Sequence, residues 1–340
     1  MGKTIVASLA RIADLDTRPF VLEQIGQPHW ETGDYVEAEV TGDATDLYRI
    51  EDTTGAMVPV EAGDRIIGAL GHRAATLEGV GSWRDVVDGR MHAMTSAGLI
   101  GAFTSLSTFL PAPMTLEYAG HVVRAGGKVR MADFALRTAH RRFRIPTVLL
   151  VGTSMSAGKT ATGTRVVTEL TGSGYSVIGA KLTGAGRYRD ILSFKAAGAT
   201  EILDFVDAGL PSTIVAERDF RAAVRPLLRY VDERAPDFLI AEAGASPLEP
   251  YNGAAAIDEL GGSVRCTILC ASDPYAVLGV QHAFGLEPDI VSGPATTTSA
   301  GRDLVAALTG VPAFNILDPG SLRGFRQALA AKLDVTLDPG

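Results

Sequence analysis

Cysteine is almost absent from these 340 residues, with two in all, and aromatic residues make up only 6%. Cys266 and Cys270 lie in one apolar stretch, on the same face of a strand about two pleats apart, too far for a disulfide. They are expected to be reduced core residues of a protein in a reducing compartment, the cytoplasm. The six histidines, at 29, 72, 92, 121, 140 and 282, show no metal-ligand spacing, and there is no Cys/His cluster, so no zinc site is expected.

A positive field is missing as well. The net charge of −8 opposes nucleic-acid binding through the overall field, because that binding rests on neutralising many phosphates; local anion sites are still allowed. Lys3 is followed by Asp14 and Asp16 before any adequate apolar region, so no signal peptide is expected. Met91 to Leu116 contains no Asp, Glu, Lys or Arg, but its many Ser, Thr, Gly and Pro residues exclude a membrane span. A buried or domain-interface segment is expected there. No solenoid repeat and no low-complexity tract occurs.

The 46% hydrophobic and 21% charged content is that of a globular protein, and the length suggests two domains at roughly 150 residues each. The expected fold class is α/β: a parallel-sheet domain, residues 144–340, preceded by a smaller mostly-β domain, residues 1–143. In the first half Tyr35 to Val40 alternates strictly between Gly33-Asp34 and Gly42-Asp43. Strands are also expected at Leu47 to Glu51, Met57 to Val60, Arg65 to Leu70, Tyr118 to Val123 and Lys128 to Met131. A small barrel or sandwich would pack them. Arg137, Arg141, Arg142 and Arg144 form a basic connector, read as a solvated linker.

From Ile145 the pattern becomes apolar strand, glycine-bearing turn and amphipathic helix. Strands are expected at Thr147 to Gly152, Ser176 to Leu182, Phe238 to Glu242, Cys266 to Cys270, Asp289 to Ser292 and Pro312 to Ile316. Helices begin at Lys159 and near Arg189. Such alternation builds a parallel sheet covered on both faces.

The strongest motif is Gly152-Thr153-Ser154-Met155-Ser156-Ala157-Gly158-Lys159-Thr160, a strand end running through a glycine-framed loop into a helix. Backbone N–H groups of such a loop cradle phosphates, Lys159 would reach the β/γ oxygens and Thr160 would bind Mg²⁺. Five residues separate the two glycines, one more than usual. Gly2-Lys3-Thr4 has no glycine loop before it, and Ala331-Lys332-Leu333-Asp334 sits in a helical stretch rather than after a strand. Both are discounted, and adenine is preferred to guanine by default.

The lengthened loop resembles that of the dethiobiotin synthetase group of P-loop enzymes, whose relatives include cobyrinate amidotransferases and a P-loop family containing D-glutamate N-acetyltransferase. The resemblance runs from about 145 to 320. It extends to Lys181 in Lys181-Leu182-Thr183-Gly184, where the group has a phosphate- and substrate-contacting lysine. It also matches Asp190 and Glu242 to the group's metal-binding aspartate and glutamate. The resemblance implies ATP and Mg²⁺ as cofactors, with Thr160, Asp190 and Glu242 on the metal, and a homodimer. The first 140 residues have no counterpart in the group.

Other candidates are weaker. Asp273 is read as a helix cap, and Ser292-Gly293-Pro294 as an adenine-side loop. Glu249 to Asn252, Arg187 and Arg189 are possible substrate contacts, and His72-Arg73 with Glu78 to Gly81 is a polar patch read as loop.

Three functions follow. The first is ATP- and Mg²⁺-dependent activation of a carboxylate or similar oxyanion of a small metabolite, with Lys159 and Lys181 neutralising the transferred phosphoryl group. The second, implied by the resemblance, is an N-acyltransferase whose loop holds coenzyme A. The third is a nucleotide-driven switch or chaperone. The expected partner is a small anionic molecule, with neither nucleic acid nor membrane.

Overall fold

The computed structural model describes residues 2–42, 49–138 and 143–338. The chain forms two compact units. The first comprises Met1–Arg137, Ala185–Arg189 and Phe205–Val215, and the second comprises Thr138–Gly184, Asp190–Asp204 and Ala216–Gly340.

Among the described residues the first unit holds twelve short strands: β1 (Thr4–Val6), β2 (Val21–Glu23), β3 (Tyr35–Val40), β4 (Arg49–Glu51), β5 (Met57–Pro59), β6 (Arg65–Leu70), β7 (His72–Ala75), β8 (Gly79–Ser82), β9 (Arg90–Ala93), β10 (Leu99–Leu106), β11 (Thr115–Arg124) and β12 (Gly127–Lys128). Pairing runs β6–β3–β11–β9–β10 and returns from β10 to β6 through Leu99–Ala69 and Ile100–Leu70, so the sheet closes into a barrel. Closure removes the exposed edges of those strands. Val36, Ala38, Ile66, Leu70, Met91, Ile100 and Leu116 belong to its buried core.

Several sequence expectations need correction here. A single cut at 143/144 misses two returns of the chain to the first unit. Tyr188 and Arg189 return because buried Glu51 accepts hydrogen bonds from both backbone N–H groups at 2.8 Å, and Ser8 Oγ donates to the same carboxylate at 2.5 Å. Residues 205–215 return through an Arg11–Asp207 ion pair of 3.2 Å and the Ser212 hydroxyl on His72 O at 2.7 Å. Met91 to Leu116 is not buried throughout: its first part forms β9 and the buried start of β10, whereas Phe109 is 97% exposed. The strand expected over Lys128 to Met131 stops at Lys128, because Asp133 accepts from the Arg130 N–H and turns the chain into a 3-10 turn at Met131–Phe134. Leu47, Arg141 and Arg142 lie outside the described residues.

Among the described residues the second unit holds the strands β13 (Thr147–Gly152), β14 (Val177–Thr183), β15 (Glu201–Asp204), β16 (Phe238–Ala243), β17 (Val264–Cys270) and β18 (Ile290–Ser292). Its helices are α1 (Lys159–Gly172), α2 (Tyr188–Ala196), whose first two residues belong to the first unit, α3 (Glu217–Arg234), α4 (Gly253–Leu260), α5 (Pro274–Phe284), α6 (Ser299–Thr309) and α7 (Pro319–Leu333). The sheet is parallel, in the order β15–β14–β16–β13–β17–β18. The central strands are apolar runs buried along their whole length, as strands covered on both faces must be. Phe194 of α2 fills a slot made by two glycines: a Cβ on Gly163 would stand 2.7 Å from its ring, and one on Gly179 also 2.7 Å.

The expected strand Pro312 to Ile316 shrinks to one bridge between Val291 and Ala313. Asn315 starts a turn there, accepting from the Leu317 N–H at 3.0 Å while its own N–H donates to Ser321 Oγ. β15 was not foreseen. Both cysteines are buried and unbridged on β17, where burial pushes their thiols up to about 12 and about 11. Among the described residues no helix is long and apolar enough to cross a membrane.

Candidate functional site

β13 is flanked by β16 and β17, but the chain leaving it crosses to β14, beyond β16. In open parallel sheets such a reversal opens a crevice at the carboxyl ends of the strands, where ligands bind. Lys159, Lys181 and Glu242 are brought together at that edge.

The loop from Gly152 to Thr160 is shaped by its lysine. Lys159 folds back so that its ammonium donates to Ser154 O at 2.6 Å and to Met155 O at 3.4 Å. A Cβ on Gly152 would lie 2.5 Å from Lys159 Nζ, so only glycine leaves room for that return. Gly158 enters α1 at φ +92°, a left-handed conformation that favours glycine. Gly293 closes against the loop, since its Cβ would fall 2.4 Å from Ala157 O. Thr153 N donates to Cys270 O at 3.0 Å, tying the loop to the end of β17. Ser156 is the exposed residue at the loop tip, between Met155 and the buried Ala157.

Lys159 is only 2% exposed, and burial pushes its pKa down. Main-chain carbonyls share its protons but supply no counter-charge, so an anion beside it would stabilise the charged form.

Glu242 stands near the end of β16, opposite Leu150 of β13 and Lys181 of β14 in register. Its Oε2 accepts from Thr160 Oγ1 at 3.1 Å. Burial raises its pKa, against the opposing pull of the Lys181 and Lys159 ammoniums. The arm of Lys181 runs between Gly184 and Gly244, where a Cβ on either would lie 3.4 Å from its Cε. Burial opposes its charge, but Asp190 and Glu242 more than offset that and its pKa is raised. Asp190 lies on α2 with Oδ2 2.6 Å from Lys181 Nζ.

Thr160 and Glu242 therefore offer a hydroxyl and a carboxylate side by side, hard oxygen donors of the type Mg²⁺ takes alongside phosphate oxygens and water. Among the described residues no group of three or more His, Cys, Asp or Glu side chains is placed to hold a metal ion.

The weaker candidates sort themselves. Asp273 caps α5, accepting from the N–H groups of Tyr275 and Ala276 at 2.9 and 3.0 Å. Glu249 is buried and accepts from the Ser246 N–H at 2.7 Å, closing the turn after β16. Lys332 of the discounted Ala331-Lys332-Leu333-Asp334 run sits at the end of α7 and pairs with Asp289 at 2.6 Å. Sequence reasoning missed the hydroxyl contact between Thr162 and Ser292 at 3.2 Å, which joins α1 to the end of β18. No short motif signals it.

No protein-family model matches the sequence, and no curated protein matches it. Solved structures similar to the chain include chloroplast FtsY from Physcomitrella patens (14% identity, 54% of this chain and 63% of that one, TM-score 0.37) and FtsY from Mycoplasma mycoides (16% identity, 54% and 64%, TM-score 0.38). HypB from Helicobacter pylori, solved in complex with nickel, is a third (17% identity, 56% and 87%, TM-score 0.35). The match spans less than two thirds of either FtsY chain. In the second unit β13, the glycine-framed loop and α1 follow one another, with Lys159 and Thr160 opening the helix, the strand–loop–helix order that a phosphate-binding loop requires.

Proposed function

We propose that the protein binds ATP with Mg²⁺ on the Gly152–Thr160 loop and transfers the terminal phosphoryl group to a carboxylate or similar oxyanion of a small metabolite. The observation that carries this reading is the pair of buried lysines, Lys159 and Lys181, acting on one buried carboxylate, Glu242. A loop that only anchors phosphates needs one such lysine. A second, held by Asp190, provides charge for an anionic acceptor or for the phosphoryl group in flight.

In this reading the loop binds the phosphates and Lys159 neutralises their β/γ oxygens. Thr160 and Glu242 would hold Mg²⁺, which supplies charge neutralisation on the phosphates when bound. Asp190 orients Lys181 through their 2.6 Å ion pair; the dethiobiotin synthetase resemblance would instead make it a third metal ligand. Water is kept from the lysines by their burial, which strengthens their effect on developing charge.

The test is a screen of small mono- and dicarboxylates for acceptor-dependent ADP release from ATP, with Lys181→Met in parallel. The reading expects release with at least one acceptor and its loss in the variant. Acetyl transfer from acetyl-coenzyme A to an amino acid, with no ADP release, would favour the acyltransferase alternative. Acceptor-independent hydrolysis would favour a switch.

A further inference from the structure

A second cavity lies at the other end of the parallel sheet. The chain enters β13 through Phe143 and Arg144, and enters β17 through Gly261, Gly262 and Ser263. These entries, with parts of α3 and α4, enclose about 640 Å³, a volume in the range of small-molecule sites.

Its lining is dominated by arginine. Arg221, Arg225 and Arg229 line it from α3, spaced at i, i+4 and i+8 and therefore on one helix face. Arg144 and Arg265 join them from the starts of the paired strands β13 and β17. Two carboxylates share the lining, and both are already engaged. Arg221 Nη1 donates to Asp258 at 2.7 Å and to Glu259 at 2.8 Å, and Arg225 makes two bonds of 2.9 Å to Glu259. Among the described residues the guanidinium groups of Arg144, Arg229 and Arg265 have no hydrogen-bond or ion-pair partner.

Glu217 also accepts from Arg221 Nε at 2.8 Å, so five arginines against three carboxylates leave about two positive charges round one cavity, in a chain whose net charge is −8. Like charges gathered in a partly enclosed space repel one another, and a multivalent anion removes that cost. Planar guanidinium groups also match phosphate oxygens in pairs, which makes arginine the residue suited to this ligand class. We propose that this cavity is a second anion site, distinct from the phosphate loop, which takes a small ligand carrying several phosphate groups. Arg144, Arg229 and Arg265 contact it, while Arg221 and Arg225, fixed by Asp258 and Glu259, form the wall.

Calorimetry with inorganic tripolyphosphate tests this on the full chain carrying Lys159→Ala, which disables the phosphate loop. One equivalent is expected to bind, and adding Arg229→Ala with Arg265→Ala is expected to weaken it at least tenfold. Arg323→Ala, an exposed arginine outside the cavity, should leave affinity unchanged. Circular dichroism checks folding; because Arg265 is exposed, Arg265→Glu alone serves if the multiple variant does not fold. No binding to the Lys159→Ala protein, or equal affinity with and without the cavity arginines, overturns the proposal.

Discussion

Thr160, the second residue of α1, donates its hydroxyl to Glu242 of β16 across 3.1 Å. The phosphate loop's helix and the neighbouring strand thereby present one hydroxyl and one carboxylate together. Glu242→Gln keeps the shape and an acceptor for Thr160 but removes the charge a cation needs. Mg²⁺ should then improve nucleotide affinity at least about tenfold less than in the wild type. Metal-free affinity should stay the same, and titrations with and without Mg²⁺ check both.

Lys181 and Asp190 form a 2.6 Å ion pair, with the lysine almost fully buried. Asp190→Ala leaves a buried ammonium without its closest counter-charge, at a cost of about 3–5 kcal/mol. Lys181→Met with Asp190→Leu removes both charges and should recover most of that loss. Urea unfolding of the two variants measures the difference; equal destabilisation would show that the pair contributes nothing beyond side-chain packing.

The slot for Phe194 gives a packing test. A Cβ on Gly179 would meet the ring at 2.7 Å, so Gly179→Ala should destabilise by about 1–3 kcal/mol. Phe194→Leu in the same chain should return part of it, whereas additive losses in thermal unfolding would contradict the geometry.

What the sequence made legible was local. β13, the glycine loop and α1 are contiguous, and the residue types at Gly152, Gly158, Lys159 and Thr160 announce their chemistry. The strand-end positions of Lys181 and Glu242 were readable for the same reason. The Asp190–Lys181 pair was not, because spacing shows where α2 begins but not which way its acid points. Residues 185–189 and 205–215 carry no compositional mark of belonging to the first unit; Glu51 and Arg11, far away in sequence, hold them. Pro312 to Ile316 looked like a strand because apolar runs and proline-led turns differ only in where the hydrogen bonds go. The histidines lack metal-ligand spacing, and no short motif signals the buried contact of His121 with Asp34.

That contact gives a pH test. His121 Nε2 lies 3.2 Å from Asp34 Oδ2, Lys128 Nζ donates to the same oxygen at 2.8 Å, and the Glu31 N–H donates to it at 2.8 Å. Burial works to raise the Asp34 pKa, but these three groups reverse the shift and hold it below the usual carboxylate value. A depressed folded pKa contributes stability that is present above the unfolded pKa of about 3.9 and is lost as pH falls through the folded value. Asp34→Asn should cost about 3 kcal/mol at pH 7, with the gap to wild type closing below about pH 4. Urea midpoints from pH 3 to 8 check it.

The central claim is that the Gly152–Thr160 loop binds nucleotide with Mg²⁺ through Lys159. Calorimetric titration of ATP, GTP and acetyl-coenzyme A, with and without Mg²⁺, into wild type and Lys159→Ala tests it most directly. The account expects Mg²⁺-dependent ATP binding that falls at least about a hundredfold in the variant, a loss of the size expected when a charged partner inside a buried site is removed. Metal-independent binding of acetyl-coenzyme A with no binding of ATP, or equal ATP affinity in both proteins, would contradict it.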